Sequence, residues 1–136
     1  MPPVSVNYLA VLACAVLAMV IGGAWFSPAL FAKAWMAGIG KTKEQLAADY
    51  KPVTMVWAFL SGAVMALTLA VFVGWAGADS WLDGARVGLY AGLGLVGMTT
   101  GANLLFEGRS LKLYLVLALH DVVALALMGA ILGAWR

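Results

Sequence analysis

The sequence predicts an all-α integral membrane protein: a four-helix bundle with a short amphipathic interfacial helix in its first loop. Composition is the first observation behind this reading. Of 136 residues, 65% are hydrophobic and 10% charged, with a mean hydropathy of +1.00. Soluble domains are roughly 45–50% apolar and about 25% charged, which excludes a water-soluble monomer. Disorder requires the opposite balance and is excluded too. The second observation is where the charges fall. None occurs from Met1 to Ala32, from Pro52 to Ala78 or from Val87 to Phe106, and between Lys112 and Arg136 the sole charge is Asp121. The third is that Trp25, Trp35, Trp57, Trp75, Trp81 and Trp135 all lie near the ends of the apolar runs or between them. Indole rings collect at headgroup level because they are amphipathic.

A membrane-crossing helix needs about 20 largely apolar residues. The runs therefore predict spans at 5–26, 53–75, 83–106 and 111–134, in a single membrane domain covering 1–136 with a loop at 27–52. A β-barrel would need short alternating segments, which these unbroken runs contradict. A cleavable signal peptide would need a basic start and a short apolar core, and neither is present. The first loop carries Lys33, Lys41, Lys43 and Lys51, and the 3–4 turn carries Arg109 and Lys112, against Arg86 and Arg136 on the other side. Basic loops stay in the cytoplasm. The expected location is a bacterial inner (cytoplasmic) membrane, crossed several times, with both termini on the non-cytoplasmic side.

Helix one is expected to hold Cys14, the sole cysteine, as a small buried hydrophobe. After it, Ser27-Pro28 reads as an N-cap followed by proline at the first helical position. Leu30, Phe31 and Trp35 then fall on one side of a short helix with Lys33 on another, the pattern of a helix lying along headgroups. Gly38 and Gly40 are expected to end it. Thr42 and Gln45 have the spacing of a capping box, and Pro52 opens helix two. Two readings of Trp25, Phe26, Ser27, Pro28, Phe31 and Trp35 follow: a connector stapled to the membrane, or an interface that docks a partner or covers the mouth of the bundle.

Glu107-Gly108-Arg109-Ser110 is a tight turn, making helices three and four antiparallel neighbours. Gly84, Gly88 and Gly92 recur every four residues, as do Gly97 and Gly101, and Gly62 precedes Ala66 at the same spacing. Small residues let helices approach closely. Helix three, the richest in them, is expected to be the most buried, and the stripes suit both a tight bundle and a homodimer.

The polar residues at membrane depth form the candidate binding cluster. Asp121 lies ten residues past Leu111, about 15 Å into the bilayer at 1.5 Å per residue. A central Asp costs some 2.5–3.5 kcal/mol on insertion scales, so it must either face the bundle interior, water or a partner, or be held in its neutral form. By depth, Ser61 on helix two and Thr99 or Thr100 on helix three reach the level of His120 and Asp121, with Asn103 and Glu107 continuing towards the cytoplasm. Thr100, Asn103 and Glu107 share one helix face. Adjacent side chains diverge by about 100°, so His120 and Asp121 are expected to point to different places, one into the core and the other towards a neighbour. Two readings stay open for the pair: helix packing through interhelical hydrogen bonds, or function. For Glu107, a charge-balanced turn beside Arg109 and Lys112 stands against a polar cavity entrance. One His and one Asp without a His/Cys cluster are too few for a metal site, and no cofactor is expected.

Asn7-Tyr8-Leu9-Ala10, Trp25-Phe26-Ser27-Pro28 with Leu30-Phe31, Lys33 and Trp35-Met36, and Asn103, Phe106-Glu107 and Arg109-Ser110 together carry a resemblance. Over nearly its whole length the chain resembles the membrane family called domain of unknown function 1761. The resemblance implies a small four-helix membrane protein and brings no activity with it.

No catalytic residue is assigned, and the leading expectation is a non-enzymatic accessory, structural or lipid-associated subunit. Its partners would be the lipid bilayer and either further copies of itself or a larger membrane complex. The alternative is a small dimeric proton-coupled transporter using the midplane acid. A membrane enzyme acting on an apolar substrate ranks below both, because no nucleophile motif or phosphate loop accompanies His120. With a net charge of +2 and basic residues explained by topology, nucleic-acid binding is not expected.

Overall fold

The computed structural model of the chain describes residues 3–136. It is all helical, with no strand among the described residues. The order is α1 (Tyr8–Trp25), α2 (Ala32–Ile39), α3 (Lys43–Asp49), α4 (Pro52–Trp75), α5 (Trp81–Tyr90), a π-helical segment (Ala91–Gly97), α6 (Met98–Phe106) and α7 (Leu111–Ala134). Helix α5, the π-helical segment and α6 run on as one rod, Trp81–Phe106. This rod, α1, α4 and α7 are each long and apolar enough to cross a membrane. The protein is a multi-pass membrane protein.

Short-range signals set the helix ends. Asn7 Oδ1 accepts hydrogen bonds from Leu9 N and Ala10 N and starts α1. The capping box of α3 is complete, with Gln45 N donating to Thr42 Oγ1 and Thr42 N donating to Gln45 Oε1. Pro52 opens α4, and the side chains of Ser80 and Ser110 cap α5 and α7. Gly40 closes α2 in the left-handed region, at φ 70°. The cap expected at Ser27-Pro28 is not made. Ser27 Oγ instead donates back to Ala24 O at 2.7 Å. The chain then turns through Leu30 N→Ser27 O, Phe31 N→Trp25 O and Ala32 N→Ser27 O before α2 begins at Ala32. The Ser27 hydroxyl is directed at the preceding turn, and α2 starts after Phe31 without a side-chain cap.

Helix α7 is the centre of the fold. It packs against α1, α2, α4 and the whole Trp81–Phe106 rod, while α1 and α4 pack on each other. Helix three is therefore not the most buried helix. Of the 18-residue window that best matches a span, 44% is buried in α7 and 17% in Trp81–Phe106. A glycine stripe buries little but the stripe itself. Outside it, Leu93, Leu95, Met98 and Leu105 face outwards, as apolar side chains of a membrane helix can.

That stripe is the main packing device. Cβ atoms built on Gly84 and Gly88 would strike the carbonyl oxygens of Gly129 and Leu125, and on Gly92 one would lie 2.9 Å from Val122 Cα. A Cβ on Gly97 would lie 3.9 Å from Val122 Cγ2 and 4.0 Å from Ala118 Cβ, and on Gly101 2.8 Å from the Tyr114 ring. All five glycines are buried against α7. Their spacing is four, four, five, four. The five-residue step from Gly92 to Gly97 coincides with the π-helical segment. Its wider i→i+5 turn takes up the extra residue and keeps Gly97 and Gly101 on the same face. Across the fold, Gly62 of α4 meets α1, where a Cβ would lie 3.1 Å from Ala18 Cβ.

Candidate functional site

Among the helices lies a cavity of about 520 Å³ walled by α1, α4 and α7 and bordered by Trp35 of α2. The rod Trp81–Phe106 contributes no residue to it. Its wall is mainly apolar, with methionines Met19, Met55 and Met65 from α1 and α4. Its side-chain polar groups come from Ser61, His120 and Asp121, apart from the indole nitrogen of Trp35. Volumes of about 300–1,000 Å³ with apolar walls and few polar groups are typical of small-molecule sites.

His120 and Asp121 do not diverge. His120 Nδ1 and Asp121 Oδ1 are 2.9 Å apart, and both side chains line this one cavity. Divergence at the backbone is undone by rotation about the side-chain bonds, which brings two adjacent tips together. His120 Nε2 is buried without a hydrogen-bond partner among the described residues, facing Gly22 of α1, where a Cβ would lie 3.7 Å away. With Nδ1–H given to the carboxylate, Nε2 of the neutral ring carries no hydrogen, and an unpaired acceptor results rather than an unpaired N–H. Gly22 leaves room for the ring.

The first-loop aromatics surround the same histidine. The Phe26 ring centroid is 5.2 Å and the Trp25 centroid 6.0 Å from that of His120. Phe31 packs on Trp25 at 4.7 Å and Trp35 on Phe26 at 5.1 Å. Trp25 Nε1 donates to Val116 O of α7 at 2.9 Å, pinning the end of α1 to the central helix. Helix α2 closes against α7 where Gly38 lies on the buried Leu113, rather than ending at Gly38. Two groups of residues, separate in the sequence, thus form one site: Trp25, Phe26 and Trp35 with Ser61, His120 and Asp121. Phe31 supports it from behind, while Pro28 is exposed in the turn.

The helix-three part of the candidate cluster lies elsewhere. Thr99 Oγ1 donates to Leu95 O of its own helix. Thr100 and Asn103 are absent from the cavity wall, and Asn103 is exposed. Glu107 is exposed in the turn and pairs with Arg109 at 3.7 Å. The depth argument places Gly97 correctly beside Ala118 and Val122. It says nothing about azimuth, and the face of helix three turned to α7 is the glycine face. Cys14, buried in the core with Sγ 3.6 Å from Met128 O, also lies away from the cavity. No group of three or more His, Cys, Asp or Glu residues able to hold a metal ion occurs among the described residues.

The family described as "Protein of unknown function (DUF1761)" matches residues 9–133. The chain belongs to this family. The matched stretch takes in every residue of the cavity wall, so the His120–Asp121 pair and the aromatic groups around it lie inside the DUF1761 region. No curated protein and no solved structure matches the chain.

Proposed function

We propose that this DUF1761 protein is a non-enzymatic, lipid-associated membrane protein that holds a membrane-dissolved amphiphile in the cavity between α1, α4 and α7. The observation that carries the reading is the cavity itself, about 520 Å³ of mainly apolar wall with few polar side chains, Asp121, His120 and Ser61 among them. Such a wall offers little to a hydrophilic solute and suits a molecule with an apolar body and one polar group. The methionines support the same reading, because their unbranched side chains adapt to irregular apolar shapes. Aromatic packing from Trp25 to Trp35 lies against the histidine and gives the short helix α2 a place in the site.

The same proposal puts the protein in a bacterial inner membrane with the first loop and the 3–4 turn in the cytoplasm. The six-to-two distribution of Lys and Arg supports this side for the loops. Trp35 and Phe26, at the loop end of the helices, then border the cavity from the cytoplasmic half.

Native mass spectrometry of the full chain released from its own membrane tests the reading. The expected result is the protein carrying one small amphiphile, with the adduct lost in Ala58→Trp, which fills the cavity from an exposed position on its wall. A bare protein in wild-type spectra would reject the binding reading. A fixed-stoichiometry complex with other proteins and no adduct would do so too, in favour of an accessory subunit.

A further inference from the structure

We infer that the ligand of this cavity is a lipophilic cation, an inference that rests on the binding role proposed above and adds the sign of the ligand's charge. Asp121 is the one carboxylate on the wall, and neither Lys nor Arg lines it. Its Oδ1 is taken by His120 Nδ1, while its side chain keeps 28% of its surface exposed where it borders the cavity. Nothing among the described residues donates to the second carboxylate oxygen.

The histidine does not cancel this charge. A doubly protonated ring would carry an N–H at Nε2, which is buried against Gly22 with no acceptor. Burying an unpaired charged donor costs more than burying an unpaired ring lone pair. With the neutral ring and an ionised carboxylate, the His120–Asp121 pair carries one net negative charge about 15 Å along α7 from Leu111. A cation seated in the cavity supplies the counter-charge that a neutral histidine does not, at a depth where a net charge is unfavourable. Phe26 and Trp35 also line the wall, and aromatic rings attract cations. The apolar wall restricts the choice to cations that carry their own hydrophobic surface. An anionic headgroup would place negative charge against Asp121 with no counter-cation on the wall.

Two ions of matched size and opposite charge, tetraphenylphosphonium and tetraphenylborate, make the test. Their binding to the purified full chain in non-ionic detergent micelles is measured by equilibrium dialysis, with empty micelles subtracted. The wild-type protein is expected to bind the phosphonium at least tenfold more tightly than the borate. Asp121→Asn should erase that preference, and Ala58→Trp should remove phosphonium binding. Equal or tighter borate binding by the wild type overturns the cation inference while leaving the cavity's binding role standing. If neither ion binds above the micelle background, both fail. A preference that survives in Asp121→Asn, or phosphonium binding that survives in Ala58→Trp, puts the cation elsewhere and overturns the inference. Should Asp121→Asn not fold, the wild-type ion comparison and Ala58→Trp decide it alone.

Discussion

Asp121 sits where a lone carboxylate is unfavourable, and the chain meets that with its immediate neighbour. The 2.9 Å contact to His120 Nδ1 gives the acid a donor, while Trp25 and Phe26 pack beside the imidazole and Gly22 lies against Nε2. Removing one member of such a pair leaves the other uncompensated, whereas replacing both by apolar groups can be neutral. His120→Leu is therefore expected to lower stability by about 1–3 kcal/mol, and His120→Leu with Asp121→Leu to recover most of that loss. Denaturant titration of the purified protein in micelles measures both. A double variant less stable than His120→Leu alone would contradict the pairing. The candidate pair was legible in the sequence because an acid in a long apolar run is conspicuous. The Trp25-Phe26-Ser27-Pro28 block was legible as a unit as well. That the two meet was not, since some 90 residues separate Phe26 from His120 and only the packing of α1 on α7 joins them.

At the scale of elements, helix three shows how spacing becomes packing. Gly84, Gly88, Gly92, Gly97 and Gly101 form one buried stripe because the π-helical segment absorbs the extra residue between the third and fourth. The signal was present as a five-residue step, visible once the two glycine runs are taken as one. Gly88→Ala would drive a Cβ into the backbone carbonyl of Leu125, which has no freedom to move aside, and is expected to destabilise by about 1–3 kcal/mol. Deletions separate register from composition. Removing Gly94, which has open space at its Cβ position, leaves all five glycines at four-residue spacing, so the rod can fold as regular α-helix on the same face. Removing Leu89 instead breaks the match between Gly88 and Gly92. Thermal unfolding should show the first deletion tolerated and the second not; equal damage by both would refute the register argument. Since this stripe is occupied by α7, it is not the surface that a second copy would use.

For the molecule as a whole, an even number of crossings puts both termini on one side. Arg136 Nη2 donates to Val73 O at 3.3 Å, and Asn7 Nδ2 donates to Trp135 O at 3.5 Å, so the two ends are tied together. The charge distribution then chooses which side. A C-terminal reporter active only outside the cytoplasm is expected to be active on the wild-type protein. It should lose activity in a fraction of molecules when Lys41, Lys43, Arg109 and Lys112 are all replaced by Glu, which leaves two basic residues on each side and removes the basic excess. An inactive reporter on the wild type would invert the orientation, and with it the side from which α2 borders the cavity.

From the sequence by itself came the all-α class, the number and approximate limits of the long apolar helices, the cap at Thr42, the helix start at Pro52 and the costly acid in the last helix. These depend on local chemistry: apolar run length, charge placement and side-chain bonds between near neighbours. Only the tertiary structure decided that α7 is the central helix and that helix three turns glycine rather than threonine towards it. It alone formed the cavity between α1, α4 and α7 and placed Phe26, Trp35 and Ser61 on one wall with His120 and Asp121. Depth in a membrane can be counted along a helix. The direction in which a side chain points depends on how helices rotate about their axes, and that rotation is set by which faces can approach most closely.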